Sequence, residues 1–213
     1  MDKDLFIKPK DLSIKLRTQN NLKILDATFY LPDSDLIAKD EYDKKHIPNA
    51  VFFDINKIAD PNNSLPHMIP SKELFSEQMK DLGLNDRDEI IIYDNSPFLS
   101  SARAWFLFRY FGYDNIFILP GGLNNWIKLN GEVTGQSTSI SKGNFTAKTE
   151  RKELVVTLDQ MINTSKDGKS IILDARSYKR FSGEAKEPRA GLPSGHIPGS
   201  KSLPSSDFVN SQG

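Results

Sequence analysis

The sequence predicts an α/β fold, in which a parallel sheet is covered by helices on both faces. Three observations support this prediction. Short runs rich in Ile and Leu alternate with helical patterns, as in strand–helix–strand units. The runs lack the polar–apolar alternation of strands with one wet face, which indicates burial on both sides. The same order of elements begins again after residue 153 of the 213-residue chain.

The first predicted elements are a strand over residues 22–28 (LKILDAT), a polar helix or helical turn over 33–45, and a longer helix. This helix begins at Ser71, which can cap its first turn, and ends at Gly83. The run EIIIYD, residues 89–94, then predicts a second buried strand.

Further helices and strands follow in the same order. Residues 100–111 predict a helix that is apolar on most sides, and residues 115–119 predict another buried strand. A turn at 120–122 and a short helix through Trp126 close this first set.

The chain is expected to contain two domains. Residues 136–153 are rich in Gly, Ser, Thr and Lys and predict a linker. The expected boundaries are therefore a first domain over 1–135 and an incomplete second one over 154–213, which begins with a helix at about 157–166 and a strand at 170–175.

A repeated motif supports this organisation. The tetrapeptide Ile-Leu-Asp-Ala is followed by His-Ile-Pro in both halves of the chain. Asp26 precedes His46 by 20 residues, and Asp174 precedes His196 by 22 residues. The shared order and spacing favour a duplicated α/β domain over two chance matches.

Composition excludes several classes of protein. The 28 basic and 28 acidic side chains balance, so neither nucleic acid nor a membrane is expected as a partner. The chain contains no cysteine, which excludes disulfides, Cys-ligated zinc and a thiol nucleophile from these residues. The charged start, MDKDLFIKPK, lacks the apolar core of a secretory signal. These features predict a soluble cytoplasmic protein without a cofactor or metal.

Taken together, these motifs resemble the rhodanese-like sulfurtransferases, in the two-domain form that uses 3-mercaptopyruvate or thiosulfate. The segments that carry the resemblance span nearly the whole chain: ILDATFYLP (24–32), HIPNAVFFDI (46–55), LPHMIPS (65–71), YDNSPFLSSARAWFLFRYFGY (93–113), LPGGLNNW (119–126), DARSYKRFSGEAKEPRAGLPSGHIPGS (174–200) and LPSSDF (203–208).

The resemblance implies a pair of α/β domains with five-stranded parallel sheets. It also implies a reaction, in which sulfane sulfur moves from a small anionic donor to a thiol or cyanide-type acceptor through a cysteine persulfide. The first domain of the family is silent, and the second carries the reactive cysteine. Asp94 stands here where an active copy would present that cysteine, so the first domain is expected to be silent.

The resemblance further assigns roles to other side chains. Arg180 and Arg189 match arginines that bind the donor anion, a role that suits the fixed fork of guanidinium donors. Arg176, beside Asp174, is assigned to structure. His67 matches a histidine directed towards the active cleft.

Asn56 occupies the position of the carboxylate that would orient His67, which weakens any acid–base role for the histidine. A structural role at the domain interface is equally compatible with His67. His46 and His196, repeated in both halves, are expected to be structural.

The position of the missing cysteine can also be predicted. His46 precedes Asp94 by 48 residues, and the same interval from His196 reaches about residue 244. The expectation is therefore a C-terminally truncated chain, inactive alone, in which residues 154–213 leave apolar faces uncovered.

Two other functions remain open. One is a non-catalytic binding or regulatory module. The other, hydrolysis by His67 with Ser100 or Ser101, is less favoured because these serines are expected to cap the helix that follows them. The sequence does not separate the two sulfur donors, although the two arginines favour 3-mercaptopyruvate.

Overall fold

The computed structural model describes residues 5–97, 99–188 and 191–209. The chain divides into two compact units. The first contains residues up to Tyr30 and the range Ser34–Arg151, and the second contains Leu31–Asp33 and the residues from Lys152 onward. Within the described residues, no helix has the length and apolar character needed to cross a bilayer.

The first unit is built on a four-stranded parallel sheet with the strand order β2-β1-β3-β4. Its elements, in chain order, are α1 (Pro9–Thr18), β1 (Leu22–Asp26), α2 (Ala38–Lys44), β2 (Ala50–Phe52), α3 (Lys72–Asp81), β3 (Glu89–Tyr93), α4 (Ser101–Tyr110), β4 (Ile116–Ile118) and α5 (Gly122–Lys128). This confirms the predicted α/β class with a parallel sheet flanked by helices. The resemblance implies five strands. The described residues of the first unit form four, and Phe6 adds a single parallel bridge to Ile118.

Both faces of the sheet are buried. Along β3, Ile90 and Ile92 point into a core formed with α3 and α4, whereas Ile91 and Tyr93 point into a core formed with α1, α2 and α5. Alternate side chains of a strand lie on opposite faces, so two cores require apolar residues at every position. This explains the continuous apolar run in the sequence.

The sequence correctly indicated most of these elements but missed α1 and β2. Helix α1 has Pro9 in its first turn, where proline is well tolerated, and it buries Leu12. Its remaining surface is polar enough to conceal the pattern. Strand β2 is only three residues long, and its pairing with β1 is a non-local contact.

The segment predicted as a linker packs against the first unit. We call residues 136–151 the strap. It contains neither helix nor strand, but its backbone amides at Gly143 and Phe145 donate to the carbonyl oxygens of Lys80 (2.8 Å) and Leu84 (3.0 Å). The Phe145 ring is fully buried in the core beside α3 and α4. The prediction that this segment has no helix or strand is confirmed, but the strap is bound to the first unit and is not a free linker.

The second unit is smaller and more open. Its elements are α6 (Leu158–Asp167), β5 (Leu173–Asp174), α7 (Tyr178–Ser182) and β6 (Lys201–Ser202), with 3-10 turns at Lys152–Leu154 and Ser205–Phe208. Thr157 and Gln160 form a reciprocal capping box at the start of α6. None of the described residues from Lys152 onward is fully buried, and Leu158 and Ile171 are 75% and 73% exposed. Uncovered apolar residues were expected for this part of the chain.

Candidate functional site

The loop between β3 and α4 encloses the side chain of Asp94. The carboxylate accepts hydrogen bonds from the backbone amides of Ser101 (2.6 Å) and Ser96 (3.2 Å). Burial raises the pKa of Asp94, and the bonds from Ser101 and Ser96 oppose that rise. Amides at a helix N-terminus are natural anion ligands. In this loop, two of them are already bound to a carboxylate of the protein itself.

The two serines at the start of α4 are buried and bonded within this loop. The hydroxyl of Ser100 donates to the carbonyl oxygen of Ala27 (2.6 Å), and the side chain of Ser101 bonds Asp94. Ser100 stands at the N-cap position, but its side chain makes no capping bond. The predicted capping role is therefore wrong for Ser100. Its hydroxyl fastens α4 to the end of β1 instead, and this bond argues against a nucleophilic serine.

His67 and Asn56 come together as the sequence suggested. The imidazole Nε2 lies 2.9 Å from the Asn56 Oδ1, and the Phe29 ring makes an edge contact with the imidazole at 5.2 Å between centroids. With the Asn56 amide in this orientation, its Oδ1 accepts the hydrogen bond and the imidazole Nε2 is the donor. Asn56 orients the ring, but as a neutral group it does not stabilise an imidazolium ion.

His67 also has an unusual backbone conformation. Its φ of 59° lies in the left-handed region, which is uncommon for a residue other than glycine. The guanidinium of Arg103 donates to the carbonyl oxygen of His67. This bond anchors the loop to α4 of the first unit.

The two His-Ile-Pro turns share their local geometry. His46 stacks on Tyr42 with ring centroids 4.2 Å apart, and its Nδ1 lies 2.6 Å from the Tyr42 carbonyl oxygen. His196 stacks on Phe181 at 3.8 Å, and its Nδ1 lies 2.8 Å from the Phe181 carbonyl oxygen. Each histidine therefore fastens its turn to a preceding aromatic residue.

The aspartates that precede these turns are also equivalent in position. Asp26 and Asp174 each end a strand, and each accepts at Oδ1 the backbone amide two residues further on, at 2.9 Å and 3.0 Å. Asp26 lies beside Phe52 in the sheet, and Asp174 lies beside Ser202. In both units the paired residue is six positions after the turn histidine.

The second unit contains a cluster of charged side chains around Glu187. Arg176 and Arg180 both donate to the Glu187 carboxylate, whose side chain is only 5% exposed. The hydrogen bond from Arg180 is the main cause that lowers the pKa of Glu187. Arg189, the second predicted donor ligand, lies outside the described residues.

Arg176, which was expected to be structural, bonds other residues of the second unit. Its guanidinium forms two bonds to the Asp174 carboxylate, with Nη2 at 2.6 Å from Oδ2, and Nη2 also donates to the Gly195 carbonyl oxygen at 2.7 Å. The hydrogen bond from Arg176 is the main cause that lowers the pKa of Asp174. The side chain thereby connects the end of β5 to the His196 turn.

A cleft of about 510 Å³ lies beside this cluster. Its walls include the end of β5 at Asp174, the Arg176 side chain and the His196 turn. Glu187 was not among the predicted site residues. The signal available was an acidic residue within a basic loop, since GEAKEPRAG places Glu187 two residues before Arg189.

The sequence has clear relatives of known type. Residues 9–129 match the Rhodanese-like domain family. The thiosulfate/3-mercaptopyruvate sulfurtransferase 1, mitochondrial, of Arabidopsis thaliana is 40% identical over 205 residues, covering 86% of this chain and 54% of that protein. The 3-mercaptopyruvate sulfurtransferase of Escherichia coli strain K12 is 37% identical over 189 residues, covering 88% of this chain and 67% of that protein. The chain spans 54% and 60% of the lengths of two Arabidopsis relatives.

Solved structures show the same similarity. The crystal structure of SseA from Escherichia coli, a 3-mercaptopyruvate sulfotransferase by its description, aligns with a TM-score of 0.87 at 32% identity, over 98% of this chain and 78% of that one. The crystal structure of the Tum1 protein from Saccharomyces cerevisiae aligns with a TM-score of 0.88 at 30% identity, over 98% and 73% of the two chains.

Proposed function

Because the chain belongs to the rhodanese-like domain family, we propose that it carries a silent first domain and the donor-binding part of a second domain of a sulfurtransferase. The proposed reaction moves sulfane sulfur from 3-mercaptopyruvate or thiosulfate to a thiol or cyanide-type acceptor. A thiolate would attack the sulfane sulfur of thiosulfate, breaking its S–S bond and releasing sulfite, or the thiol sulfur of 3-mercaptopyruvate, breaking its C–S bond and releasing an enolate that takes up a proton to give pyruvate. Either step leaves a persulfide on the attacking thiolate. The persulfide would then pass that sulfur to the acceptor, which restores the thiolate.

The geometry of the two turns supports the two-domain organisation. Both turns repeat the stacked histidine, the aspartate at the end of a strand and the six-residue interval to its partner strand. We propose that the unit from Lys152 onward is the beginning of a second rhodanese-like domain. The strap then belongs to the first domain, and the boundary lies near Arg151.

The occupied loop supports the silent role of the first domain. Asp94 lies where the family would need its thiolate, and its carboxylate already accepts two loop amides. A negative group held there opposes the approach of an anionic donor. The 213 residues contain no cysteine, so we expect no turnover from this chain by itself.

The position and exposure of Arg180 carry the donor-binding part of the proposal. It lies in α7, immediately before the Phe181 carbonyl that holds the His196 turn, and its side chain is 32% exposed. A partly exposed guanidinium can pair with the carboxylate of 3-mercaptopyruvate or the sulfonate-like end of thiosulfate. We propose that Arg180 and Arg189 together bind this anion, and that the His67–Asn56 pair has a supporting role.

A binding experiment tests this proposal without interference from turnover. Calorimetric titration of the 213-residue chain with thiosulfate and with 3-mercaptopyruvate should show saturable binding that weakens with added salt. Arg180→Ala should abolish this binding. Lys179→Ala, which removes the same charge from an exposed neighbour, should leave most of it. Equal losses in both variants, or the absence of binding by the unaltered chain, would contradict the proposal.

A non-catalytic binding module remains the second candidate, since the sequence provides no thiol. It predicts that residues 1–151 alone bind an anion or a partner, and that Arg180→Ala in the whole chain leaves this binding unchanged. The expected cytoplasmic location also stays a prediction, because one Arabidopsis relative is named as mitochondrial.

A further inference from the structure

Glu187 makes more contacts with the arginines than a solvated loop carboxylate would. Its two oxygens accept from different guanidinium groups. Oε1 accepts a hydrogen bond from Nη1 of Arg176 at 2.8 Å, and Oε2 accepts one from Nη2 of Arg180. The Nε of Arg180 also approaches Oε1 at 3.4 Å. A carboxylate held from two sides in this way has little freedom to rotate.

Arg176 fixes Glu187 in place and has little capacity left for a ligand. Its Nε and Nη2 bond Asp174, its Nη1 bonds Glu187, and its Nη2 also bonds Gly195. A guanidinium has five N–H donors, so four bonds nearly exhaust it. Through Arg176, Glu187 is tied both to the end of β5 and to the His196 turn.

Arg180 is different, because one end of its guanidinium is still available. Glu187 takes its Nε and one Nη2 hydrogen. Among the hydrogen bonds of the described residues, Nη1 of Arg180 makes none. The Nε–Nη2 edge is thus held by the protein, while the Nη1 end has two donors for a ligand.

We propose that Glu187 is a positioning residue, which holds the Arg180 guanidinium so that its Nη1 end meets the anion of the sulfur donor. The inference rests on the proposed function, because it assumes that Arg180 binds the donor. Glu187 itself need not touch the donor. Its role is to supply a fixed guanidinium in place of a flexible one.

If Glu187 positions Arg180, removing the Glu187 carboxylate should weaken donor binding, whereas simple electrostatics predicts stronger binding. Removing a negative charge next to an anion site should strengthen anion binding if only charge matters. If Glu187 positions Arg180, its removal leaves a rotamer-rich side chain to be ordered when the donor binds. That ordering should weaken binding by roughly 3- to 10-fold.

The test compares Glu187→Gln with Glu184→Gln in the whole chain, using thiosulfate and 3-mercaptopyruvate in calorimetric titrations. Glu184 lies in the same loop and is exposed, so it controls for the loss of one negative charge. We expect Kd to rise about 3- to 10-fold for Glu187→Gln and to fall slightly or stay unchanged for Glu184→Gln. An unchanged or lower Kd for Glu187→Gln, with binding still lost in Arg180→Ala, would overturn the positioning role but leave the proposed function intact. Failure of the unaltered chain to bind either donor would refute both.

A spectroscopic measurement on the unaltered chain provides a second test. A guanidinium held at one edge rotates slowly about its Nε–Cζ bond, so its two Nη groups should give separate ¹⁵N resonances at low temperature. We expect separate resonances for Arg180 in the unaltered chain and an averaged signal in Glu187→Gln. If that variant does not fold, the unaltered chain decides: averaged Arg180 resonances would contradict the proposal, and separate ones would support it.

Discussion

The turn around His46 and the turn around His196 have the same internal geometry in different surroundings. His46 is 1% exposed within a closed core, whereas His196 is exposed. Nevertheless, each ring stacks on its aromatic partner and lies within hydrogen-bonding distance of that partner's carbonyl oxygen. The turn therefore keeps the same histidine contacts in a closed core and at an exposed position, although the aromatic partner lies four residues before His46 and 15 residues before His196.

The electrostatics of the two turns differ, although their geometry does not. Burial raises the pKa of Asp26, while the hydrogen bond from Arg176 lowers the pKa of Asp174. Asp26 is buried and has only the neutral Thr28 two positions further on, whereas Asp174 is less buried and pairs there with the cation of Arg176. The first unit thus stabilises its turn by packing, and the second by paired charges.

The largest expected difference between the two units is the loss of folding free energy when an apolar side chain is truncated. Phe145→Ala should destabilise the first unit by about 3–5 kcal/mol, because it removes a ring packed against Phe75 and Phe108. Leu158→Ala in the second unit should change the free energy of unfolding by less than about 0.5 kcal/mol, since this side chain is 75% exposed.

Native-state hydrogen exchange measures both effects, because amides in β3 report on the first unit and the amide of Lys201 reports on the second. Comparable losses in the two variants would show that the second unit has an apolar core of its own, contrary to this comparison.

A smaller effect is expected at the histidines. His46→Ala should cost about 1–3 kcal/mol, because it leaves the buried carbonyl oxygen of Tyr42 without this partner and removes a ring stack. His196→Ala should cost less than about 1 kcal/mol, since water can replace the ring at an exposed position. Exchange of the Ala50 and Ser200 amides, which close the two turns, provides the measurement. Equal costs would mean that burial contributes little to the first turn.

The smallest expected effect is the response to acid. Burial raises the pKa of Asp26 and Asp94 above 3.8, so their folded forms bind a proton more tightly than the unfolded chain. Their ionisation therefore costs stability at high pH, and that cost disappears as the pH falls through the raised pKa values towards about 3.8.

Asp174 and Glu187 should respond in the opposite sense. Their pKa values are lowered from 3.8 and 4.5, so their stabilisation is complete above those values and is lost as the pH falls below them. Carboxyl ¹³C titration of all four groups, combined with exchange in each unit, tests both signs. If the second unit became more stable as the pH fell below 4.5, the stabilising role of these charge pairs would be contradicted.

Much of the first unit could be predicted because its signals are local. The strand at 89–94, the helix that begins after Ser71 and the helix over 100–111 each follow from a run of apolar residues and a terminating glycine or cap. The strap could not be predicted in the same way. Its composition is that of a loop, and only the complete structure shows the space that Phe145 fills.

The candidate site was also predictable only in part. The pairing of His67 with Asn56 could be expected from the family pattern, and the structure has that contact. The role of Glu187 depends on how a loop folds back on α7, which no periodicity indicates. The hydroxyl of Ser100 was assigned to a helix cap, but it donates to the carbonyl oxygen of Ala27, just beyond the end of β1.

The attachment of the strap bears on where this gene can be divided. A coding fragment that stops at codon 135, where composition alone suggests a border, would omit Phe145 and the amide of Arg151 that bonds Tyr110. Its product would expose the rings of α3 and α4 and would tend to aggregate. A fragment that ends after codon 151 keeps these contacts and is the better choice for producing the first unit separately.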